Sequence, residues 1–184
     1  CIGEGEWPML DLVTQLEAGQ RPSGIPNLWI RTADGVEKNS TRQLVERLDE
    51  LPYPDRGMWE EWIDLPRSSK RPSLLLGRGC PYRCSYWCQH ALAHLADGRY
   101  VRMRSPENVL GEMQEVLARF PEVRAFYFEI ETFGADIASS LRLCACLEVF
   151  NASRSQPLGF SVNLRVTPGL IKRLDELFAA MKRC

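Results

Sequence analysis

The sequence has no initiating Met, no basic surplus and no apolar run long enough to enter a bilayer. Its formal net charge is −1, so the positive excess that a nucleic-acid groove or an anionic membrane surface requires is missing. A spanning helix takes about 20 consecutive apolar residues, and a secretory leader needs a basic segment followed by an apolar one; neither pattern occurs. The expectation is a cytoplasmic protein with neither nucleic acid nor membrane as a partner. A regular cysteine framework is lacking too. Of seven cysteines, three crowd together as Cys80, Cys84 and Cys88, while Cys1, Cys144, Cys146 and Cys184 lie scattered. In a reducing compartment such a trio marks a metal site rather than a set of bridges.

What is present suits a packed fold: 45% of the 184 residues are hydrophobic, enough for one domain or one domain plus a remnant. The opening Cys1-Ile2-Gly3-Glu4-Gly5-Glu6 reads as a strand tip running into a helix, and Cys184 closes a helical pattern. Both ends therefore read as cuts within a longer chain. A first helix is expected from Trp7 to Ala18, with Leu10, Leu12, Val13 and Leu16 on one stripe. Residues 20–72, rich in Pro, Gly and charge, read as an interdomain linker with one short helix over Ser40 to Glu50. Trp29 and Trp59 are expected as packing anchors.

From Ser73 the pattern alternates. Leu74-Leu75-Leu76 is a buried strand and the cysteine loop follows it. Ser105-Pro106-Glu107 starts a helix with a capping hydroxyl and a Pro at the first helical position, carrying Val109, Leu110, Met113, Val116 and Leu117. Then come a strand over Val123 to Glu131, a helix over Ile137 to Asn151, a strand over Leu158 to Arg165 and a helix over Pro168 to Lys182. The order βαβαβα implies parallel strands with crossover helices. In the second strand Tyr127, Glu129 and Glu131 oppose Phe126, Phe128 and Ile130; in the third Ser161, Asn163 and Arg165 oppose Phe160, Val162 and Leu164. Doubly wound sheets are apolar on both faces, whereas a polar inner face suits a β/α barrel whose lumen holds a polar ligand. Three βα units are too few to close one. The α/β fold expected is thus an incomplete (β/α) barrel over 73–184.

Three thiolates on one loop suit a metal that wants more than three ligands. Zinc would close its tetrahedron with a fourth, for which His90 is a candidate; a 4Fe-4S cube would use three cysteines and leave one iron open. Cys144 and Cys146 fall within a helix and read as buried apolar residues.

The run Arg78-Gly79-Cys80-Pro81-Tyr82-Arg83-Cys84-Ser85-Tyr86-Trp87-Cys88 resembles the cluster loop of the radical S-adenosylmethionine superfamily, which binds its cluster through CxxxCxxC. The stretches His90-Ala91-Leu92, Gly98-Arg99-Tyr100-Val101-Arg102 and Arg104-Ser105-Pro106-Glu107-Asn108-Val109 are similar to the subgroup carrying an N-terminal cobalamin-binding domain. Gly3-Glu4-Gly5-Glu6 resembles the close of that Rossmann-like domain, and Ile25 to Trp29 with Leu51 to Asp55 resemble the connector. The resemblance implies a remnant of the cobalamin-binding domain over 1–19, a linker over 20–72 and the first three βα units of the barrel over 73–184. One departure stands out. Trp87 occupies the place of the third cysteine, and Gln89-His90-Ala91-Leu92 keeps the family register, so the third ligand is either Cys88 or absent.

The resemblance implies a 4Fe-4S cluster on Cys80, Cys84 and Cys88 that cleaves S-adenosylmethionine to a 5′-deoxyadenosyl radical. Tyr86, Glu129, Glu131, Asn163 and Arg165 are the implied cofactor-binding residues, with the glutamates toward the cofactor's ammonium and Asn163 and Arg165 toward its ribose and carboxylate. No catalytic residue is assigned. Cobalamin in the complete protein, an electron donor such as flavodoxin or ferredoxin, and a small-molecule substrate undergoing methyl transfer, cyclisation or rearrangement complete the implied picture. The rivals are a methylthiotransferase-like enzyme and a non-enzymatic module stapled by zinc or degenerate at its cluster.

Overall fold

The computed structural model describes residues 1–59 and 71–184. The chain forms two compact units: Cys1–Glu46 with Gly79–Tyr100, and Arg47–Arg78 with Val101–Cys184. Residues 20–72 contribute to both.

The first unit holds helix α1 (Glu6–Glu17), an antiparallel hairpin of β1 (Trp29–Thr32) and β2 (Gly35–Lys38), and the short helix α2 (Gln89–Leu92). Ile25, Leu28 and Val45 are its buried aliphatic residues. Polar groups do much of the rest. Buried Asn27 donates from its amide to the Glu4 carbonyl, 2.9 Å, and accepts from the Arg42 N–H, 2.6 Å. The Glu4 carboxylate accepts from the Val45 N–H, 2.6 Å, and the Leu44 N–H donates to the Asp97 carbonyl, 2.9 Å. These bonds explain why the helix expected over Ser40 to Glu50 does not form. Its N–H groups have tertiary acceptors, and only a 3-10 turn at Leu48–Glu50 remains. The stripe of α1 is not buried either: Leu10, Val13 and Leu16 are exposed and Leu12 is half-buried. Trp29, expected to anchor packing, is half exposed with Lys38 over its ring at 4.8 Å; the side chain of Trp59 lies outside the described residues.

The second unit is the α/β part. Strands β3 (Ser73–Leu75), β6 (Ala125–Phe133) and β7 (Gly159–Leu164) form a parallel sheet in that order. Between β3 and β6 lie the antiparallel pair β4 (Gly77–Arg78) and β5 (Arg102–Met103) and helix α3 (Pro106–Arg119). Helix α4 (Ile137–Ala152) joins β6 to β7, and α5 (Pro168–Ile171) and α6 (Leu174–Arg183) follow. The last two were expected as one helix; Arg173, at φ −126°, separates them.

Local chemistry fixes the helix starts. The Ser105 hydroxyl accepts from the Asn108 N–H, 3.1 Å, and Asp136 accepts from the Ser139 N–H, 3.1 Å, each satisfying a donor that a first helical turn leaves open. Leu74, Leu76, Phe126 and Phe128 join Val109, Met113 and Val116 of α3, Leu143 and Leu147 of α4 and Leu177 of α6 in one core. The alternate strand residues Ser73, Leu75, Glu129 and Asn163 are exposed. The sheet therefore buries one face and leaves the other polar, as the strand alternation predicts. Among the described residues no helix is long and apolar enough to cross a membrane.

Candidate functional site

The cysteine loop springs from a narrow neck. Gly77 pairs with Met103 and Arg78 with Arg102. A Cβ on Gly77 would fall 2.5 Å from the Arg102 carbonyl oxygen, and one on Gly79 would fall 2.3 Å from that of Tyr100. Gly79 also sits at φ +84°, so both close approach and backbone twist demand glycine immediately before Cys80. Cys80 and Cys84 are half-buried and Cys88 is exposed. The Trp87 N–H donates to the Cys84 carbonyl at 3.3 Å, and the Cys88 carbonyl accepts from Ala91 and Leu92, starting α2. Tyr86 is 82% exposed and Trp87 half exposed. The Tyr100 hydroxyl bonds the Gln89 side chain. The side chain of His90, the candidate fourth zinc ligand, lies outside the described residues.

Glu129, Glu131, Asn163 and Arg165 belong to the other unit. The Ser73 hydroxyl donates to Glu129 at 3.2 Å, Arg71 donates to the Ser161 hydroxyl at 3.3 Å, and the Arg71 guanidinium lies 5.5 Å from the Tyr127 ring centre. Beyond Phe128 the β6–β7 register slips. Phe128 pairs with Val162, and the next pair is Phe133 with Leu164, so five steps of β6 run beside two of β7. Glu129 and Glu131 ride on this bulged stretch, whose backbone re-aims side chains away from a regular ladder. Thr132 accepts from the Arg165 N–H, 3.2 Å. Glu131 and Asn163, both exposed, thus stand with Arg165 at the C-terminal ends of neighbouring parallel strands, the end at which open α/β sheets bind ligands.

Sequence reasoning missed a buried charge cluster beside this face. Glu112, 2% exposed, accepts from Arg56 at 2.7 Å and from Arg104 at 2.5 Å. Arg56 also donates to the Ser73 carbonyl and Arg104 to the Leu75 carbonyl, each at 2.8 Å. These carbonyls belong to β3, the outer strand of the sheet, so both guanidinium groups cap its open edge. A cavity of about 320 Å³ lies here, lined by Tyr53, Arg78, Ser73 and Glu129 among others. The signal was in the sequence: Glu112 falls within the apolar stripe of Val109, Met113 and Val116, where an ionised group requires partners.

Among the described residues no group of three or more His, Cys, Asp and Glu converges as the ligands of one ion must. Three cysteine thiols on one loop, two half-buried and one exposed, are the donor type that a 4Fe-4S cube takes from a protein.

No family model matches the chain. Its sequence is 32% identical over 171 residues to the anaerobic magnesium-protoporphyrin IX monomethyl ester cyclase of Rubrivivax gelatinosus, covering 90% of this chain and 29% of that protein. In structure it matches TsrM from Kitasatospora setae, a radical S-adenosylmethionine methyltransferase solved with cobalamin and a [4Fe-4S] cluster, at a TM-score of 0.66 over 97% of this chain and 36% of the other. The chain belongs to the radical S-adenosylmethionine superfamily, in its cobalamin-binding subgroup. A second superfamily structure, TsrM with tryptophan substrate and the analogue aza-SAM, matches at 0.64 over 97% of this chain and 34% of that one. Identity to both structures is 20%, a likeness of fold. An uncharacterized methyltransferase of Pyrococcus horikoshii is 29% identical over 113 residues, covering 60% of this chain and 23% of that protein. The chain thus spans less than a third of the length of the curated relatives it matches.

Proposed function

We propose that the chain forms the cluster-binding part of a cobalamin-dependent radical S-adenosylmethionine enzyme that performs methyl transfer or radical cyclisation on a small molecule. The thiol trio on its glycine-necked loop carries this reading, supported by the match to the cyclase across nine-tenths of the chain. On this reading 1–19 closes a cobalamin-binding domain, 20–72 connects, and 73–184 supplies the first three units of the barrel. Cys80, Cys84 and Cys88 would hold the cluster. An electron that cleaves S-adenosylmethionine to a 5′-deoxyadenosyl radical is the chemistry that cluster supplies when bound. Flavodoxin or ferredoxin is the donor class that would deliver that electron.

The chain's own residues bind and orient. Glu131 and Glu129 present carboxylates on the polar face, where an ammonium donates best to an ionised acceptor. Asn163 offers both a donor and an acceptor to a ribose, and the Arg165 guanidinium suits a carboxylate. Tyr86, largely exposed on the loop, provides an aromatic wall with a hydroxyl.

Anaerobic reconstitution with iron and sulfide tests the reading. We expect about four irons per chain, lost on Cys84→Ala and on Cys88→Ala alike. Stoichiometric zinc without iron absorption sinks the proposal, and full iron in Cys88→Ala removes Cys88 from the ligand set. In the reconstituted protein, Glu131→Ala should weaken S-adenosylmethionine binding about 10- to 100-fold, the worth of one charge-assisted bond, at unchanged iron content. Equal loss of both would make Glu131 a support of the fold.

A further inference from the structure

The cavity beside the buried charge cluster lies wholly within the second unit. Its volume, about 320 Å³, is at the small end of pockets that hold small molecules. Leu48, Leu51 and Tyr53 come to it from the connecting segment, and Ser73, Leu75 and Glu129 from the polar face of the sheet. The Tyr53 ring is pinned there: its hydroxyl donates to the Asn108 carbonyl at 3.0 Å, and the Arg104 guanidinium lies 5.6 Å from its centre. The charged lining is Arg56, Arg78 and Arg104 against Glu112 and Glu129, an excess of one cation. Two acids of the same segment, Asp49 and Asp55, accept from the Ser105 and Gly57 N–H groups, each at 2.9 Å.

The two arginines on Glu112 are not alike. Arg104, 8% exposed, engages all its nitrogens: Nε donates to the Asn108 side chain at 2.6 Å, Nη1 to Glu112 and the Leu75 carbonyl, and Nη2 to the Asn108 carbonyl at 3.4 Å. Arg56, 24% exposed, makes both its bonds, to Glu112 and to the Ser73 carbonyl, from Nη2 alone. A guanidinium carries five N–H donors, so Arg56 has donors to spare. One carboxylate shared by two guanidinium groups also leaves a positive charge that burial makes costly without an anion. We propose that this cavity binds a small monocarboxylate with an apolar, ring-sized body. The carboxylate sits on Arg56, where a charge-assisted bond is strong, and the ring packs against Leu48, Leu51 and Tyr53. Glu129, which accepts from the Ser73 hydroxyl at 3.2 Å, repels a second carboxylate. Because the cavity reaches the polar face that carries Glu129, the acid is assigned as the substrate; that assignment rests on the function proposed above, whereas the binding does not.

The probe is 3-phenylpropionate, with 3-phenylpropanamide as its uncharged counterpart, each titrated calorimetrically into the whole chain without iron. The acid is expected to bind about 10-fold tighter than the amide, the worth of one charge-assisted bond. Arg56→Gln should erase that difference by weakening the acid and sparing the amide, and Leu51→Trp should weaken both by filling the cavity. No binding of either probe, equal binding of both, or undiminished binding of the acid to Arg56→Gln overturns the proposal. Should Arg56→Gln fail to fold, because Glu112 then keeps only Arg104, Leu51→Trp decides: full binding of the acid to that variant refutes the cavity as the site. In the chain reconstituted with iron and sulfide, the acid and S-adenosylmethionine should bind together. Displacement of one by the other would make the cavity part of the cofactor's site and overturn the proposal. A chain that takes up no iron yet still prefers the acid to the amide sinks the proposed function and leaves the binding site standing.

Discussion

In the sheet unit the side chains that hold the fold, Leu74, Met113, Val123 and Phe126, are almost or wholly removed from solvent. Among the described residues of the loop 79–100, by contrast, none is buried. Burial of one large apolar side chain is worth about 1.5–3 kcal/mol, so the sheet owes its stability to itself. Among the bonds that hold the loop are a two-residue ladder at its neck, a few backbone turns, the Tyr100–Gln89 bond and the Leu44 N–H donating to the Asp97 carbonyl. Bound iron would supply what packing does not, since metal binding to a site without its own core is also folding energy.

That contrast can be broken or sharpened by mutation. The largest effect is expected from Phe126→Ala, which removes a fully buried ring and should cost about 3–5 kcal/mol, read as a lower midpoint in denaturant. A cost below about 1 kcal/mol would mean that the sheet core does not carry the fold. Next comes Gly79→Ala. It places a Cβ against the Tyr100 carbonyl at a left-handed φ, a strain of about 1–3 kcal/mol confined to the loop. Iron retention should fall while the sheet's unfolding midpoint stays; a shift as large as that of Phe126→Ala would show that the two regions stand or fall together.

The smallest effect is expected from Asp136→Ala, which removes the N-cap of α4 at about 1 kcal/mol. Asp136 is held below the ordinary carboxylate range, first by the Ser139 hydroxyl and then by the Ser139 N–H. Its lowered value makes the cap's contribution fully present above the unfolded value of about 4 and lost as pH falls through the folded one. Variant and parent should therefore differ at neutral pH and converge in acid. A constant gap across that range would assign the effect to helix propensity rather than to the charged cap.

Much of the α/β part was legible because each device there is local. Ser105 before Pro106 announces α3, and Phe126 and Phe128 alternating with Tyr127 and Glu129 announce a strand with one buried face. The hairpin was missed although Asp34-Gly35 between Trp29-Ile30 and Val36 is a recognised turn signal; it was masked by the surrounding Pro and charge. The helix over 40–50 failed for a non-local reason. Its donors go to Asn27, Glu4 and Asp97, partners that no window around residue 45 contains. The register slip in β6, which sets where Glu129 and Glu131 stand, likewise belongs to a pair of strands and not to either alone. The cysteine trio is readable from spacing, as is the displacement that puts Trp87 in the third place.

The cap that Arg56 and Arg104 place on β3, with Glu112 between them, has a consequence for synthesis. Every residue of that cap precedes β6 and β7 in the chain, and those strands add at the opposite side of β3 in the order in which a ribosome would deliver them. One flank of the sheet is shut by groups already made, and the other stays open to the next strand. Assembly of the nascent chain thus has a direction, and a late strand has one place to dock.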